Sequence, residues 1–162
     1  MLRPLIPGDA AAIRAIYNYY IENTVISFEE QPLSLQGMER RIRNITAKYP
    51  ALVCEEAAEI LGYAYVNTYK ERASYRYTAE LSIYLKKGRE GKGLGSKLLS
   101  GLFEELKTTD IHVLVSGITL PNERSVAIHE KFGFTKTAHF HEVGFKMGRW
   151  RDVGYWELIL KK

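Results

Sequence analysis

A glutamate inside an alternating, largely apolar segment is the first residue of this chain that could do chemistry. The segment TAELSIYL, residues 78–85, reads as a β-strand with Ala79, Leu81, Ile83 and Leu85 on one face. Glu80 lies on the opposite face, in the middle of a strand that we expect to be central. Burial of a carboxylate without a role is costly, whereas a partly buried glutamate can accept a proton from a substrate. The alternatives are an exposed edge-strand glutamate and a structural ion pair.

A glycine-rich loop directly before a predicted helix is the second such feature. In GREGKGLG, residues 88–95, Gly88 and Gly93 have the glycine spacing of a P-loop, but Leu94 stands where that pattern requires a lysine. The G-x-G-x-G spacing is also a poor match to the Rossmann pattern. Amides at a helix start are unpaired and favour an anion such as a pyrophosphate, and five basic residues surround the loop: Lys86, Lys87, Arg89, Lys92 and Lys97. The alternative is a glycine-rich turn without a ligand.

Two histidines in the segment HFH, His139 and His141, share one face of a predicted strand. Zinc sites use at least three protein ligands, and no third ligand is evident in the sequence. We therefore expect these histidines to be structural and predict no metal site.

Hydrophobic periodicity indicates the elements that must position these residues, in the order β-α-α-β-β-β-α-β-α-β-β. The predicted strands are Leu2–Ile6, Ala51–Cys54, Ile60–Tyr69, Tyr77–Leu85, Ile111–Ile118 and two between Phe134 and Leu160, joined by a loop around Lys146–Trp150. The predicted helices follow Asp9 and Ser34 as N-caps, span Leu94–Leu106, and run from Pro121–Asn122 to about Lys131, with Gly133 at the end. This order predicts a mixed α/β sheet domain.

Composition sets broad limits on the class of protein. The 162 residues are 46% hydrophobic and 26% charged, which predicts one globular domain over residues 1–162. No apolar stretch is long enough for a membrane span, and the start of the chain lacks the apolar run of a signal peptide. The single cysteine, Cys54, is expected to be a buried thiol in a reducing, cytoplasmic setting.

A formal charge of +4 weakly favours an anionic partner, which leaves a phosphate-bearing cofactor and a nucleic acid open. The 11 tyrosines and the segment YKERASYRY are compatible with nucleic-acid binding. No base-reading motif supports that alternative, and we expect no nucleic-acid partner.

Several stretches resemble the GNAT superfamily of N-acetyltransferases. The sequence Glu90-Gly91-Lys92-Gly93-Leu94-Gly95 occupies the cofactor motif Gln/Arg-x-x-Gly-x-Gly/Ala, with Glu90 as a departure. The segment LPNERSVAIHEKFGF is similar to a second family pattern, in which His129 replaces the usual tyrosine. Together with YTAELSIYL, IYNYYIENTVISFEE and GFKMGRWRDVGYWEL, this replacement resembles the branch that acetylates phosphinothricin, methionine sulfone and methionine sulfoximine. The resemblance extends from about Arg3 to Leu160.

The resemblance implies a GNAT fold, a mixed, mostly antiparallel sheet flanked by helices, with acetyl-CoA as co-substrate. It implies backbone pairing of the cofactor's amide arm with Ile83, Tyr84 and Leu85. It also implies a pyrophosphate site at the residues Gly91, Lys92, Gly93, Leu94, Gly95 and Ser96. Asn122 is expected to be a helix cap, a hydrogen-bond partner of the pantetheine arm, or both.

For the chemistry, the resemblance implies direct acetyl transfer to an amine, without an acyl-enzyme. Glu80 takes the position of the general base, and His129 that of the group that assists the departing thiolate, with a structural histidine as the alternative. Arginines suit an anionic substrate, and the candidates for substrate binding are Phe28, Glu29, Arg72, Tyr75 and Arg76. Rival functions are acetylation of another amine, such as a polyamine or a protein N-terminus, and a catalytically silent acyl-CoA-binding module. A dimer contact through the C-terminal hairpin is expected by the same resemblance.

Overall fold

A computed structural model describes residues 1–160, so the predicted domain 1–162 extends two residues beyond the described part. The strands are β1 Leu2–Pro4, β2 Ala51–Glu56, β3 Glu59–Thr68, β4 Thr78–Leu85, β5 Val113–Leu120, β6 Thr135–Lys146 and β7 Arg149–Ile159. The helices are α1 Ala10–Asn23, α2 Leu35–Thr46, α3 Leu94–Leu106 and α4 Glu123–Lys131. The predicted order of strands and helices is confirmed.

The strands form one seven-stranded sheet in the order β1-β2-β3-β4-β5-β7-β6. Every neighbouring pair is antiparallel except β4 and β5, which run parallel. The expected mixed, mostly antiparallel sheet is therefore confirmed, and Glu80 lies on its central strand with a neighbour on each side.

Helices cover both faces of the sheet because each strand alternates its apolar residues between two cores. Leu52 and Cys54 of β2 pack with α3, whereas Ala51 and Val53 of the same strand pack with α1 and α2. The buried position predicted for Cys54 is confirmed. Among the described residues, no helix is long and apolar enough to cross a membrane.

Two predicted helix caps are confirmed and one is wrong. Ser34 Oγ accepts a hydrogen bond from the Gly37 amide at 3.0 Å, and Asn122 Oδ1 accepts one from the Ser125 amide at 3.2 Å. The Asp9 side chain makes no cap bond to α1. Its carboxylate instead accepts hydrogen bonds from the Arg3 guanidinium with both oxygens, and one more from the Ile6 amide.

Strand boundaries differ from the prediction by one or two residues in most strands and by more in the C-terminal hairpin. β1 pairs with β2 only through Pro4, although the Leu5 amide still donates to the Ala51 carbonyl. β5 covers Val113–Leu120, because Ile111 packs into the core before the ladder begins. The loop expected around Lys146–Trp150 is a two-residue turn between the paired residues Lys146 and Arg149, so both strands of the C-terminal hairpin are longer than predicted.

Candidate active site

The sheet opens between β4 and β5. Only three pairs join these strands, and the last is Glu80 with Val115. Beyond this point, the Ser116 hydroxyl of β5 lies 3.0 Å from the Leu81 carbonyl oxygen and bridges the start of the gap. The β4 backbone from Ser82 to Leu85 has no β5 partner in the described ladder, so it can pair with an extended ligand as an added strand would.

A groove of about 630 Å³ begins at this gap. Its walls come from α1, β4, the glycine loop, α3 and α4. The lining residues are Tyr19, Tyr20, Thr24, Ile26, Ile83, Leu85, Glu90, Gly91, Gly93, Gly95, Ser96, Asn122, Arg124, Ser125, Ala127, Ile128 and Lys131. Seven residues predicted to bind the cofactor are among them: Ile83, Leu85, Gly91, Gly93, Gly95, Ser96 and Asn122. The other three, Tyr84, Lys92 and Leu94, belong to the same strand and loop but do not line the groove.

The glycine loop shapes the start of α3 as an anion site. Gly91 and Gly93 have φ values of 74° and 76°, a conformation that side chains other than glycine rarely adopt. Gly93 occupies the N-cap position, and no side chain caps the helix. The first amides of α3 therefore point into the groove without a protein side-chain acceptor, where the helix dipole favours a negatively charged group.

Glu90 also lines the groove, and its carboxylate is turned back onto its own loop. Its Oε2 atom accepts a hydrogen bond from the Gly88 amide at 2.9 Å. Two of the basic residues around the loop, Arg89 and Lys86, pair with Glu59 of β3. The positive charge among the lining residues comes from α4 instead, from Arg124 and from Lys131, whose ammonium donates to Ser96 Oγ at 3.2 Å.

Glu80 is half-buried, and it forms no ion pair or side-chain hydrogen bond with any residue in the described part of the chain. Burial raises the pKa of its carboxyl group above the ordinary value. Burial is the largest cause of the raised pKa of the neighbouring Tyr155 hydroxyl, and the negative charge of Glu80 is the next. The structural ion pair considered for Glu80 is therefore not formed, and the carboxylate faces Tyr155 with its proton-accepting capacity unused.

Glu80 and the groove lie on opposite faces of β4. Ile83 and Leu85, which line the groove, alternate onto the α3 side, whereas Glu80 and Tyr84 alternate onto the α1 side. Tyr84 packs there against Tyr17, Tyr20 and Tyr63. The gap between β4 and β5 connects the two faces, so a molecule in the groove and a molecule beside Glu80 can meet in it.

His129 of α4 is only 3% exposed and is not among the lining residues of the groove. Its Nδ1–H donates to the Ser125 carbonyl at 2.7 Å, and its Nε2 atom lies 2.8 Å from the Ser116 hydroxyl. Burial lowers the pKa of the imidazole, so the ring is neutral near neutral pH. His129 therefore links α4 to β5 at the gap, and Ser125 stands between it and the groove.

The loop between β3 and β4 brings cations and aromatic rings to the Glu80 side. Lys70 Nζ lies over the rings of Tyr69 and Tyr75, at 5.0 and 5.2 Å from their centroids. Burial is the main cause of the raised pKa of Tyr155, and Tyr69 and Lys70 of this loop add smaller, opposite contributions. The predicted Arg72 and Arg76 are exposed and stack on Tyr75 and Tyr77, respectively.

The predicted pair Phe28 and Glu29 belongs to the irregular segment between α1 and α2. The carboxylate of Glu29 accepts hydrogen bonds from both Arg41 guanidinium nitrogens and from the Tyr17 hydroxyl, and Arg41 is the main cause of its lowered pKa. Glu29 is thus an anchor of this segment. The buried Lys146 donates to the carbonyls of Ile21 and Ser27 and ties the segment to the C-terminal hairpin.

A sequence profile described as "Acetyltransferase (GNAT) domain" matches residues 2–154. The chain belongs to the GNAT acetyltransferase family. It is 37% identical to the L-methionine sulfoximine/L-methionine sulfone acetyltransferase of Salmonella typhimurium, over 94% of this chain and 90% of that protein. It is 33% identical to the phosphinothricin N-acetyltransferase of Streptomyces viridochromogenes, over 96% of this chain and 85% of that protein.

The structure agrees with this membership. A phosphinothricin acetyltransferase of Sinorhizobium meliloti, solved in complex with acetyl-CoA, superposes with a TM-score of 0.94 at 33% identity, covering 99% of this chain and 88% of that chain. The predicted GNAT fold is confirmed. The chain is an N-acetyltransferase, and acetyl-CoA is its acetyl donor.

Several groups of this GNAT site were missed in the sequence. Arg124 and Lys131 line the groove because α4 packs beside α3. The helical periodicity of α4 does not indicate which of its faces meets the groove. Tyr155 is 75 residues from Glu80 in the chain, and its ring lies against Gly117 of β5. The only local sign in the sequence was Gly117, whose missing side chain leaves room for an aromatic ring on that face of β5.

Proposed function

We propose that this GNAT enzyme acetylates the α-amine of a small amino-acid-like substrate of the phosphinothricin, methionine sulfone or methionine sulfoximine type. The transfer proceeds directly from acetyl-CoA within a ternary complex. The observation that carries the proposal is the unpaired, half-buried Glu80 at the point where β4 and β5 separate. The named activities of the similar proteins from Salmonella and Streptomyces support the substrate class.

The groove fits a nucleotide-linked, extended cofactor. The amides of the loop and of the first turn of α3, from Gly91 to Ser96, hold the pyrophosphate, with Arg124 and Lys131 as neighbouring cations. The edge of Ile83, Tyr84 and Leu85 that has no β5 partner holds the amide arm, and Asn122 adds its side chain from the opposite wall. The Tyr20 hydroxyl donates to the Leu85 carbonyl at 2.7 Å, which fixes this end of the strand. When bound, acetyl-CoA supplies the thioester.

Glu80 prepares the amine for attack. An amino acid carries an ammonium group near neutral pH, and that group must lose a proton before its nitrogen can attack a thioester. Glu80 accepts the proton directly or through one water molecule, and its raised pKa brings it closer to the working pH of a general base. The amine approaches from the Glu80 face of the sheet, while the groove presents the acetyl group from the other face.

His129 acts as a positioning residue in this proposal. It is buried behind Ser125, and its hydrogen bonds connect Ser116 of β5 with the Ser125 carbonyl of α4. Assistance to the departing thiolate, the role implied by the resemblance, would then pass through Ser125, which lines the groove.

The carboxylate of the substrate, and the phosphinate of phosphinothricin, meet cations of the loop between β3 and β4. Arg72 and Arg76 are exposed there and free of ion pairs with described residues, and Tyr75 lies beside them. Phe28, 41% exposed and adjacent to Gly144 of β6, contributes an apolar surface, while Glu29 holds the segment that carries it. A guanidinium suits these anions because it binds them in a bidentate manner.

Direct transfer is favoured over an acyl-enzyme because the cysteine thiol is out of reach. Cys54 is 2% exposed and packs in the core between β2 and α3. A buried, apolar thiol is a poor nucleophile. The same buried thiol supports a reducing, cytoplasmic location as part of the proposal.

The test measures acetyl-CoA turnover with a panel of amines, and the release of the free CoA thiol is the signal. Phosphinothricin, methionine sulfone and methionine sulfoximine should give the highest kcat/KM, with common amino acids below them. Higher kcat/KM for a polyamine or a peptide N-terminus would replace the proposed substrate class. Acetyl-CoA binding with no turnover on any amine would contradict the enzymatic proposal.

We also propose a homodimer formed through the C-terminal hairpin. Five of its large apolar side chains are about half exposed or more, which is unusual for a monomer surface. They are Phe140, Val143, Phe145, Met147 and Trp150.

A further inference from the structure

A cluster of two histidines and one aspartate lies on the C-terminal hairpin, outside the proposed active site. His139 and His141 alternate onto one face of β6, and Asp152 of β7 comes beside them. One ligand atom of each side chain lies within 4.8 Å of the others. The tertiary structure thus supplies the third ligand that the segment HFH lacked.

The cluster stands where the pairing of the two strands is interrupted. The ladder breaks between Phe140 and Gly144, and Glu142 within this irregular stretch has a φ of 51°. The Glu142 amide donates to Asp152 Oδ1 at 2.8 Å, which leaves Oδ2 directed at His139 Nε2, 2.7 Å away. This backbone contact orients the carboxylate as an outer-sphere partner orients a metal ligand.

On the side of Asp152, the charges around the cluster favour a cation. Asp152 also lines a cavity of about 490 Å³ with Leu120, Pro121, Asn122, Glu123, Val126, Ala127 and Glu130. Three of these lining residues are acidic and none is lysine or arginine.

One group competes for the site. Lys136 Nζ donates to His139 Nδ1 at 3.1 Å, and His139 Nε2 lies 2.7 Å from Asp152 Oδ2. A metal bound at Nε2 requires the tautomer of the neutral ring that carries its one proton on Nδ1, the atom that now accepts from Lys136. The ammonium must therefore move away when a metal binds.

We propose that His139, His141 and Asp152 form a binding site for a divalent transition metal ion of the Zn²⁺ type. Two imidazoles and one carboxylate are ligands typical of this ion, and water completes the coordination. Ligand distances of about 2.0–2.2 Å require the His139–Asp152 contact to open and His141 to approach. Both histidines are exposed and can rotate, and the stacking of their rings at 4.4 Å already places them together.

The ion would join β6 to β7 where the backbone ladder is broken, as a structural clamp. This role is independent of the acetyltransferase activity. It is also compatible with the proposed dimer contact at Phe140, because Phe140 alternates onto the opposite face of β6 from the two histidines and packs on Tyr155.

The experiment titrates Zn²⁺ into the metal-stripped, tag-free chain by calorimetry and records Co²⁺ absorption in parallel. We expect one equivalent to bind and to raise the melting temperature, because an ion that binds only the folded chain stabilises it. His139→Ala, His141→Ala and Asp152→Asn should each weaken binding by at least about tenfold. Lys136→Gln should tighten it, because the competing ammonium is removed.

His112→Ala is the matched control, since His112 is an exposed histidine outside the cluster. Its affinity for Zn²⁺ should equal that of the wild-type chain, and circular dichroism checks that each variant is folded. The absence of saturable binding to the wild-type chain would overturn the proposal. So would unchanged affinity in the folded His139 and His141 variants, or a loss in the His112 control equal to theirs.

Discussion

At the level of single residues, the side chain that matters most for the proposed reaction is Glu80. It is half-buried, it has no partner among the described residues, and its pKa is raised by burial. A carboxylate kept without a partner in a central strand costs stability, and proton transfer is a function that would justify the cost.

Replacement of this carboxylate should remove the base and leave the groove intact. Glu80→Gln is expected to lower kcat by about 10²–10⁴-fold with acetyl-CoA affinity unchanged. In the wild-type enzyme, kcat/KM should fall as the pH decreases through the raised pKa of Glu80, because the protonated carboxyl cannot accept a proton. This acidic limb should be absent in the variant.

Steady-state kinetics over a pH series, together with calorimetry of acetyl-CoA binding, measures both quantities. Glu105→Gln, an exposed glutamate near the end of α3, is the control and should behave like the wild-type enzyme. Equal turnover in the Glu80 and Glu105 variants would contradict the assignment of the base.

Glu90 departs from the family motif, and its orientation limits the effect of that departure. Its carboxylate accepts a hydrogen bond from the Gly88 amide, and a glutamine oxygen can do the same. Glu90→Gln should therefore tighten acetyl-CoA binding by no more than about fivefold, the effect expected of a partly exposed charge. Calorimetric titration measures the change, and a far larger gain would show that the carboxylate faces the pyrophosphate directly.

At the level of elements, the chain builds the site by fixing one irregular segment to a distant hairpin. The segment between α1 and α2 carries Phe28 and Glu29, and it has few backbone hydrogen bonds of its own. The ammonium of Lys146, 5% exposed, donates to the carbonyls of Ile21 and Ser27 and provides the connection.

Loss of this ammonium should loosen the segment. Lys146→Met leaves two carbonyl groups without their donor and should reduce the free energy of unfolding by about 1–3 kcal/mol. The KM for the amine should rise, because Phe28 is held less firmly. Urea denaturation and steady-state kinetics test both effects, with Lys48→Met as a control that removes an exposed lysine. Equal stability of the two variants would show that the contact contributes nothing.

At the level of the whole molecule, the exposed aromatic residues of the hairpin argue for a second copy. Phe145 and Trp150 pack against each other with centroids 5.0 Å apart, and yet Trp150 is 62% exposed. Monomeric proteins rarely expose such a contiguous apolar patch.

Light scattering after size exclusion should give the mass of two chains. The double variant Phe145→Ser, Trp150→Ser should shift this mass towards one chain, because the apolar contact is lost. Ile6→Ser, which removes an exposed isoleucine near the opposite edge of the sheet, should leave the mass unchanged. A wild-type chain that is already monomeric would overturn the dimer.

The sequence by itself determined the elements and the motif positions, because periodicity, caps and glycine spacing are local properties of the chain. It placed Glu80 on a strand, the glycine loop before α3 and Asn122 at the start of α4. Only the tertiary structure decided which charges reach the groove. Arg89 and Lys86 turn to Glu59, while Arg124 and Lys131 line the wall. It also brought Tyr155 to Glu80 and Asp152 to the two histidines. Such contacts depend on how strands far apart in the chain pair, and no local pattern encodes that.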